Sequence, residues 1–454
     1  MTQLADDVRT SHQTIFRTLE AEGDAVPASV DALRKAGMER FNLVGFPTRK
    51  QEEWRLTDVR PIAETRYAPG EIDSGDVSAV DGYRFGDEAA AELVFINGHY
   101  SAQLSKLGKH GRVRIGSLRQ AFDLDPELVA RHLGRIVDLT KHPFAALNSG
   151  MLRDGAFVYL PKGSTVEGPI HLLFVSTNTG EQPTVSHPRV LLIADDNSEA
   201  SVVETYAGPD GQRYFTNAVS EFAVGNDCRI DHNKLNQESL DAHHVHASHI
   251  SLGRNSTFVS HNTTLGGRLT RNDVGCVMGG EGAYPILNGL VVIGGSQHCD
   301  NHTLLDHAVP NCPSHELYKH VLGGKSTGVF KGQILVRLDA QKTDSKQTSK
   351  SLLLSDDAVM NSQPALEIYA DDVKCTHGST IGPVDEEMMY YAQTRGIGRE
   401  AARHLLTYAF AADVTRRIKV AAVRHRIEEV LAAQHGLPLD LRITDLGEFD
   451  EAAR

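Results

Sequence analysis

Ala194-Asp-Asp-Asn-Ser-Glu-Ala200, Val224-Gly-Asn-Asp-Cys-Arg-Ile230, Leu252-Gly-Arg-Asn-Ser-Thr-Phe258 and Met278-Gly-Gly-Glu-Gly-Ala-Tyr284 share one layout. An apolar residue closes one β-type run, a corner rich in Gly, Asn and Asp follows, and a small residue leads into the next run. The four stretches begin at 194, 224, 252 and 278, at intervals of 30, 28 and 26 residues. No helical pattern lies between them. A short strand cannot bury a face alone, so imperfect repetition at this interval points to a β-solenoid, in which each coil is covered by the next. A sandwich with regular hairpins is the competing reading.

Outward from the repeats, β-type runs continue on both sides. Ala156-Phe-Val-Tyr-Leu160, Ile170-His-Leu-Leu-Phe-Val175 and Arg189-Val-Leu-Leu-Ile-Ala194 precede them, and Ile286 to Ile293, Gly328 to Val336 and Ala365 to Tyr369 follow. The pattern stops at Thr380-Ile-Gly-Pro383. Asp385 is then a fair N-cap for a helix ending before Gly396, a second helix starts near Arg399, and a third carries Val423, Ile427, Val430 and Leu431 and stops at Gly436. Such helices could cap the solenoid's open end or present an apolar stripe to another protein. Upstream, Leu4, Val8, Ile15 and Leu19 fall at helical spacing with Gly23 as a stop, and a second helix starts after Pro27. Trp54, the only tryptophan, should anchor a loop or short helix, and Asn97-Gly98 marks a hairpin. Residues 117–138 read as helix with Pro126 near a start. The expectation is a mainly β chain: a mostly helical N-terminal domain over 1–150, a parallel β-helix core over 151–383 and a C-terminal helical domain over 384–454.

Composition narrows the function. A formal charge of −13 with no basic run argues against nucleic acid or an anionic membrane as partner. No signal-peptide pattern and no 18-residue apolar stretch occur, and Cys228, Cys276, Cys299, Cys312 and Cys375 form an odd set without CxxC spacing, so free thiols in a reducing cytoplasm are expected. Among 22 histidines, His243, His244, His246, His249 and His261 crowd together, which reads as a solvated ladder on a strand before it reads as a metal site. Gly323-Gly-Lys-Ser326 looks like the tail of a P-loop, but Lys319 stands where the first glycine belongs and no helix follows, so the chain is not an ATPase by that motif. Asp195-Asp196 and Asp371-Asp372 hint at a carbohydrate-active β-helix enzyme, yet consecutive strand residues point to opposite faces.

One stretch carries a soft ligand pair: Glu367-Ile-Tyr-Ala-Asp-Asp-Val-Lys-Cys375-Thr-His377-Gly378. Alternation puts Val373, Cys375 and His377 on one face, and two residues of strand rise separate the Cys375 and His377 Cα atoms by about 6.6 Å, close enough to share one metal centre. Two ligands do not close a site, since zinc and iron–sulfur centres take about four. Alternatively Cys375 is a small buried hydrophobe and His377 a strand-end residue.

The chain resembles the SufB/SufD family of iron–sulfur cluster assembly proteins, and within it the SufD side. Pro47-Thr-Arg-Lys-Gln-Glu-Glu-Trp54, Phe144-Ala-Ala-Leu-Asn148, Asp300-Asn-His-Thr-Leu-Leu-Asp-His307, Ser314-His-Glu-Leu-Tyr318, Gly328-Val-Phe-Lys-Gly-Gln333 and Ile368 to Gly378 carry the likeness, and a SufB-type ending is missing. The resemblance implies a right-handed parallel β-helix and a non-enzymatic scaffold, paired with SufB through the β-helix end and with the ATPase SufC through C-terminal helices. It implies Cys375 and His377 as a half-site for a transient cluster at the SufB interface, and Arg399, Ala402, Leu405, Leu406, Ala409 and Phe410 as SufC docking residues. The family's complex is associated with reduced flavin, for which no motif is present here. A SufB-like homodimeric scaffold is the alternative.

Overall fold

The computed structural model describes residues 8, 12–18, 26–71, 80–178 and 180–435. The expectations at Leu4, Leu19, Gly23, Gly436 and the chain ending lie outside the described residues. The centre is a β-solenoid of about eight turns, built from a twelve-stranded and a ten-stranded sheet that face each other across one lumen. Each strand pairs in parallel with the strand two places later, so the chain alternates between sheets: Tyr214–Val224 pairs with His243–Leu252, while Arg229–Gln237 pairs with Thr257–Thr264.

The quoted corners are what keeps successive coils in step. Asn197, Asp227 and Asn255 each adopt positive φ (59°, 55° and 55°), a conformation that Asn and Asp tolerate better than most residues. Their amides donate to the corner of the next coil: Asn197 N to Asn226 O, Asp227 N to Arg254 O and Asn255 N to Glu281 O, each at 2.8 Å. The ladder continues beyond the recognised repeats through Asn311 and Lys342. A sandwich lacks such a ladder, which excludes that reading.

The coils do not begin at residue 151. Ala91–Ile96 pairs in parallel with Thr165–Val175, and the Asn97-Gly98 turn folds His99–Tyr100 back on it, with φ of 52° and 85° as a primed hairpin turn requires. Helix Ala28–Val44 crosses Pro143–Gly150 so closely that a Cβ on Gly37 would stand 2.7 Å from Ala146 O. Asn148 staples the pair to the solenoid, its Nδ2 donating to the carbonyls of Pro188 and Asn217, both at 2.8 Å. The 117–138 stretch forms two short helices, Leu118–Leu124 and Pro126–His132, with Pro126 at the first turn. Gly323 to Ser326 is a turn into strand Thr327–Val336, as its missing helix implied.

The lumen changes character along its length. Early coils fill it with Leu93, Phe95, Leu172 and Phe174, whereas from strand Glu199–Ala207 onward Glu204, His232, Lys234, His246 and Asn272 stand inside. Glu204 is bound by His232 at 3.1 Å, Tyr206 at 2.7 Å and Ser220 at 2.8 Å; burial pushes its carboxyl up, but His232, His246 and Tyr206 together outweigh this and hold it at about 2. The histidine expectation fails here. His244 and His246 are fully buried on the lumen side, with Glu238 2.8 Å from His244 and Ser220 3.0 Å from His246; only alternate residues of that strand face outward. Burial holds His261, His307 and His320 down to about 3, 4 and 3, so they stay neutral in the fold. Their stabilisation is present above the unfolded value of 6.5 and is lost as pH falls towards these lower values. Urea midpoints should therefore drop between pH 7.5 and 5.5, each such histidine costing roughly 1.4 kcal/mol at the lower pH. A midpoint that does not move would contradict neutral burial.

Candidate functional site

The solenoid ends at strand Lys374–Pro383, which pairs on one side with Asp344–Leu353; no described strand pairs with its other edge. Ser345 lies opposite Cys375 and Gln347 opposite His377. Ser345 and Gln347 are buried lumen residues, and parallel register gives partners a common face, so Cys375 and His377 both sit on the lumen side of the last coil. No described coil lies above them. Cys375 packs partly against the apolar core with Val373, and its thiol is pushed up by burial, which keeps it protonated at neutral pH in the free chain. His377 is exposed. Around them the rim shows apolar side chains to solvent, among them Val359, Ile368, Tyr369 and Ile381. Among the described residues no three His, Cys, Asp or Glu side chains are grouped to hold a metal ion. The end of the chain's solenoid therefore brings Cys375 and His377 together on a strand edge that no described strand covers.

The C-terminal helices do not cover that end. Arg399–Thr415 lies along the outer face of the ten-stranded sheet, where Tyr408, Ala411 and Val414 pack with Leu235, Leu290 and Val321. Lys319 clamps it: Nζ donates to the Phe410 carbonyl at 3.0 Å, pairs with Asp413 at 2.7 Å and stands 4.4 Å from the Phe410 ring centroid. Asp385 caps the preceding helix Glu386–Thr394 through the amides of Glu387 (2.8 Å) and Met388 (3.3 Å). The six candidate docking residues take different places. Ala402 is buried against Met389 and Ala392, Arg399 is exposed and paired with Glu386 at 2.9 Å, Ala409 is exposed, and Leu405 is half-buried. Leu406 and Phe410 line a groove of about 350 Å3 with Ile381, Val384 and Met388, directly behind the terminal strand. Tyr390 and Tyr391 on helix Glu386–Thr394 are also exposed, which the helical period alone did not single out.

A second constellation escaped the sequence reading. Arg271 is buried, pairs with Asp273 at 2.7 Å and Asp300 at 2.5 Å, donates to the Glu53 carbonyl at 3.0 Å and stacks 4.4 Å over Trp54. His302 bridges Asp300 (3.1 Å) and Glu53 (3.3 Å), Thr57 donates to Asp300, and Lys331 pairs with Glu53 at 2.7 Å. This network straps the Trp54 turn onto the twelve-stranded sheet beside a cleft of about 710 Å3. Spacing could have revealed it: Asp300 is 29 residues beyond Arg271 and Lys331 is 29 beyond His302, one coil each.

Residues 174–410 match the family described as SUF system FeS cluster assembly, SufBD core domain, and residues 10–172 match the SufBD protein N-terminal region. A Synechocystis iron–sulfur cluster assembly SufBD family protein is 28% identical over 93% of this chain and 96% of its own length. The iron–sulfur cluster assembly protein SufD of Escherichia coli is 29% identical over 86% of this chain and 89% of its own. SufD of Bacillus subtilis is 27% identical over 65% and 67%. With both matched regions falling on the helical N-terminal part and the solenoid that carries Cys375 and His377, the chain belongs to the SufBD family of iron–sulfur cluster assembly proteins.

Proposed function

We propose that the chain is the SufD-type scaffold subunit of a complex with a SufB-type paralogue and two copies of a SufC-type ATPase, acting in the cytoplasm. The observation that carries this reading is the placement of Cys375 and His377 together on a strand edge that no described strand covers, which supports their reading as a half-site. A paralogous solenoid pairing edge to edge would satisfy the open backbone groups, cover the apolar rim and add the missing ligands. The cluster is cargo, built at the seam and passed on. Iron and acid-labile sulfide counted on the anaerobically assembled complex, with and without His377, test the reading.

The ATPase acts on the other side of the same structure. The groove of Leu406 and Phe410 shares Ile381 and Pro383 with the terminal strand, so a protein seated there touches the strand that bears the half-site. Dimerisation of two ATPase subunits on ATP would strain this groove and, through it, the seam between the scaffolds. Leu406→Asp should abolish co-purification of the ATPase, because it places a charge in an apolar groove, while the circular-dichroism spectrum of the β-rich chain stays unchanged. Retention of the ATPase by the variant would refute the docking.

A further inference from the structure

The lumen beneath His377 contains a side chain whose bonding is incomplete. Gln347, one strand below, lies in the same inward column, and Glu316 lies one strand further down. Gln347 Nε2 donates to Glu316 Oε2 at 2.6 Å, and both side chains are buried. Gln347 Oε1 has no hydrogen-bond partner, although a buried amide oxygen is seldom left without one. The room for this amide comes from the opposite sheet: a Cβ on Gly332 would stand 2.3 Å from Gln347 Nε2, so any larger residue there would displace the amide from its present place. Because Glu316 takes the NH2 end from the coil below, the carbonyl end is left for the coil above, and there the His377 ring makes no hydrogen bond to a described residue.

We propose that Gln347 is the positioning residue of the half-site, accepting a hydrogen bond from one ring N–H of His377 and so leaving the other ring nitrogen unprotonated and turned out of the lumen towards the incoming metal. The inference rests on His377 being a ligand and names what orients it. A histidine ligand needs its tautomer fixed by a partner on the far nitrogen, and here the partner is a neutral amide held by Glu316 rather than a carboxylate. Adjacent strands lie about 4.8 Å apart, which suits an amide on one reaching an imidazole on the next. Glu316 and Gly332 support the same contact indirectly, the first by orienting the amide, the second by making space for it.

The test uses the full chain labelled with 15N-histidine, His377 being assigned by its loss in His377→Ala. The wild type should show His377 in one neutral tautomer, and Gln347→Leu should show an exchanging mixture. Gly332→Ala, which displaces the amide without removing a polar group, should do the same. In the assembled complex Gln347→Leu should retain about tenfold less iron with unchanged subunit composition. An unaltered His377 spectrum in Gln347→Leu overturns the proposal. A tautomer that responds to Gln347 in a complex whose iron content is indifferent to His377 upholds the contact and removes the ligand reading instead.

Discussion

The His377→Ala chain, co-expressed with its SufB-type and SufC-type partners and purified without oxygen, is expected to assemble normally and to hold at least about tenfold less iron and acid-labile sulfide than the wild type. The expectation follows from where His377 stands. It is exposed on the last strand, so its loss leaves no cavity, and the one contact it removes is the proposed one to Gln347 at the open rim. The solenoid should melt at the wild-type temperature. Cys375→Ser tests the second position and differs in kind: Cys375 is half-buried against the apolar core, so its replacement introduces a hydroxyl among Val373 and its neighbours and alters the rim itself. Comparison of the two variants separates metal ligation from interface packing. If iron and sulfide are unchanged in His377→Ala, the ligands belong to the partner and this subunit serves as a lever only.

The largest loss of stability is expected at Arg271→Met. The side chain is buried among Asp273, Asp300 and His302, and methionine leaves the buried Asp300 and the half-buried Asp273 carboxylates without their shared cation, at a cost of about 3–5 kcal/mol. Burial raises the Asp300 carboxyl, but the charges of Arg271 and His302 outweigh this and hold it far below the usual carboxylate range. Its stabilisation is therefore present above the unfolded value of 3.8 and is lost only as pH falls below it; without Arg271 the folded carboxyl titrates higher, so the acid limb begins at higher pH. Trp54 reports the event locally, being the only tryptophan and the ring under the guanidinium. Its emission should shift to the red at denaturant concentrations below the main transition, as the Glu52–Trp54 turn leaves the sheet. A variant with wild-type stability and unshifted emission would show that the network does not hold the N-terminal part in place.

Features that depend on neighbours in sequence were legible. The Asn97-Gly98 hairpin, the Asp385 cap and the polar corners at 197, 227 and 255 each follow from backbone preferences of one or two residues. Periodicity then turned those corners into a solenoid, since the same local geometry repeated at coil length admits few other arrangements. Cys375 and His377 were recognisable as a pair for the same reason: strand alternation alone places residues two apart on one face. The candidate docking residues were less legible. Helical spacing grouped Ala402 with Leu406 and Phe410, but a stripe does not say which part of it a neighbouring helix has already covered, and Ala402 is covered by Met389 and Ala392.

By itself the sequence determined the coil, its corners, the helices at either end and the placing of Cys375 and His377 on one strand face, because all of these are written in short-range or periodic preferences. The tertiary structure alone decided which face was the lumen, and with it that His244 and His246 are buried rather than solvated. It also decided that strand Lys374–Pro383 has an open edge, that Glu53 meets Arg271 across 218 residues, and that Gln347 lies between Glu316 and His377. Alternation defines two faces without assigning them, and the strength of an ion pair or hydrogen bond depends on how far closure of the fold removes it from water.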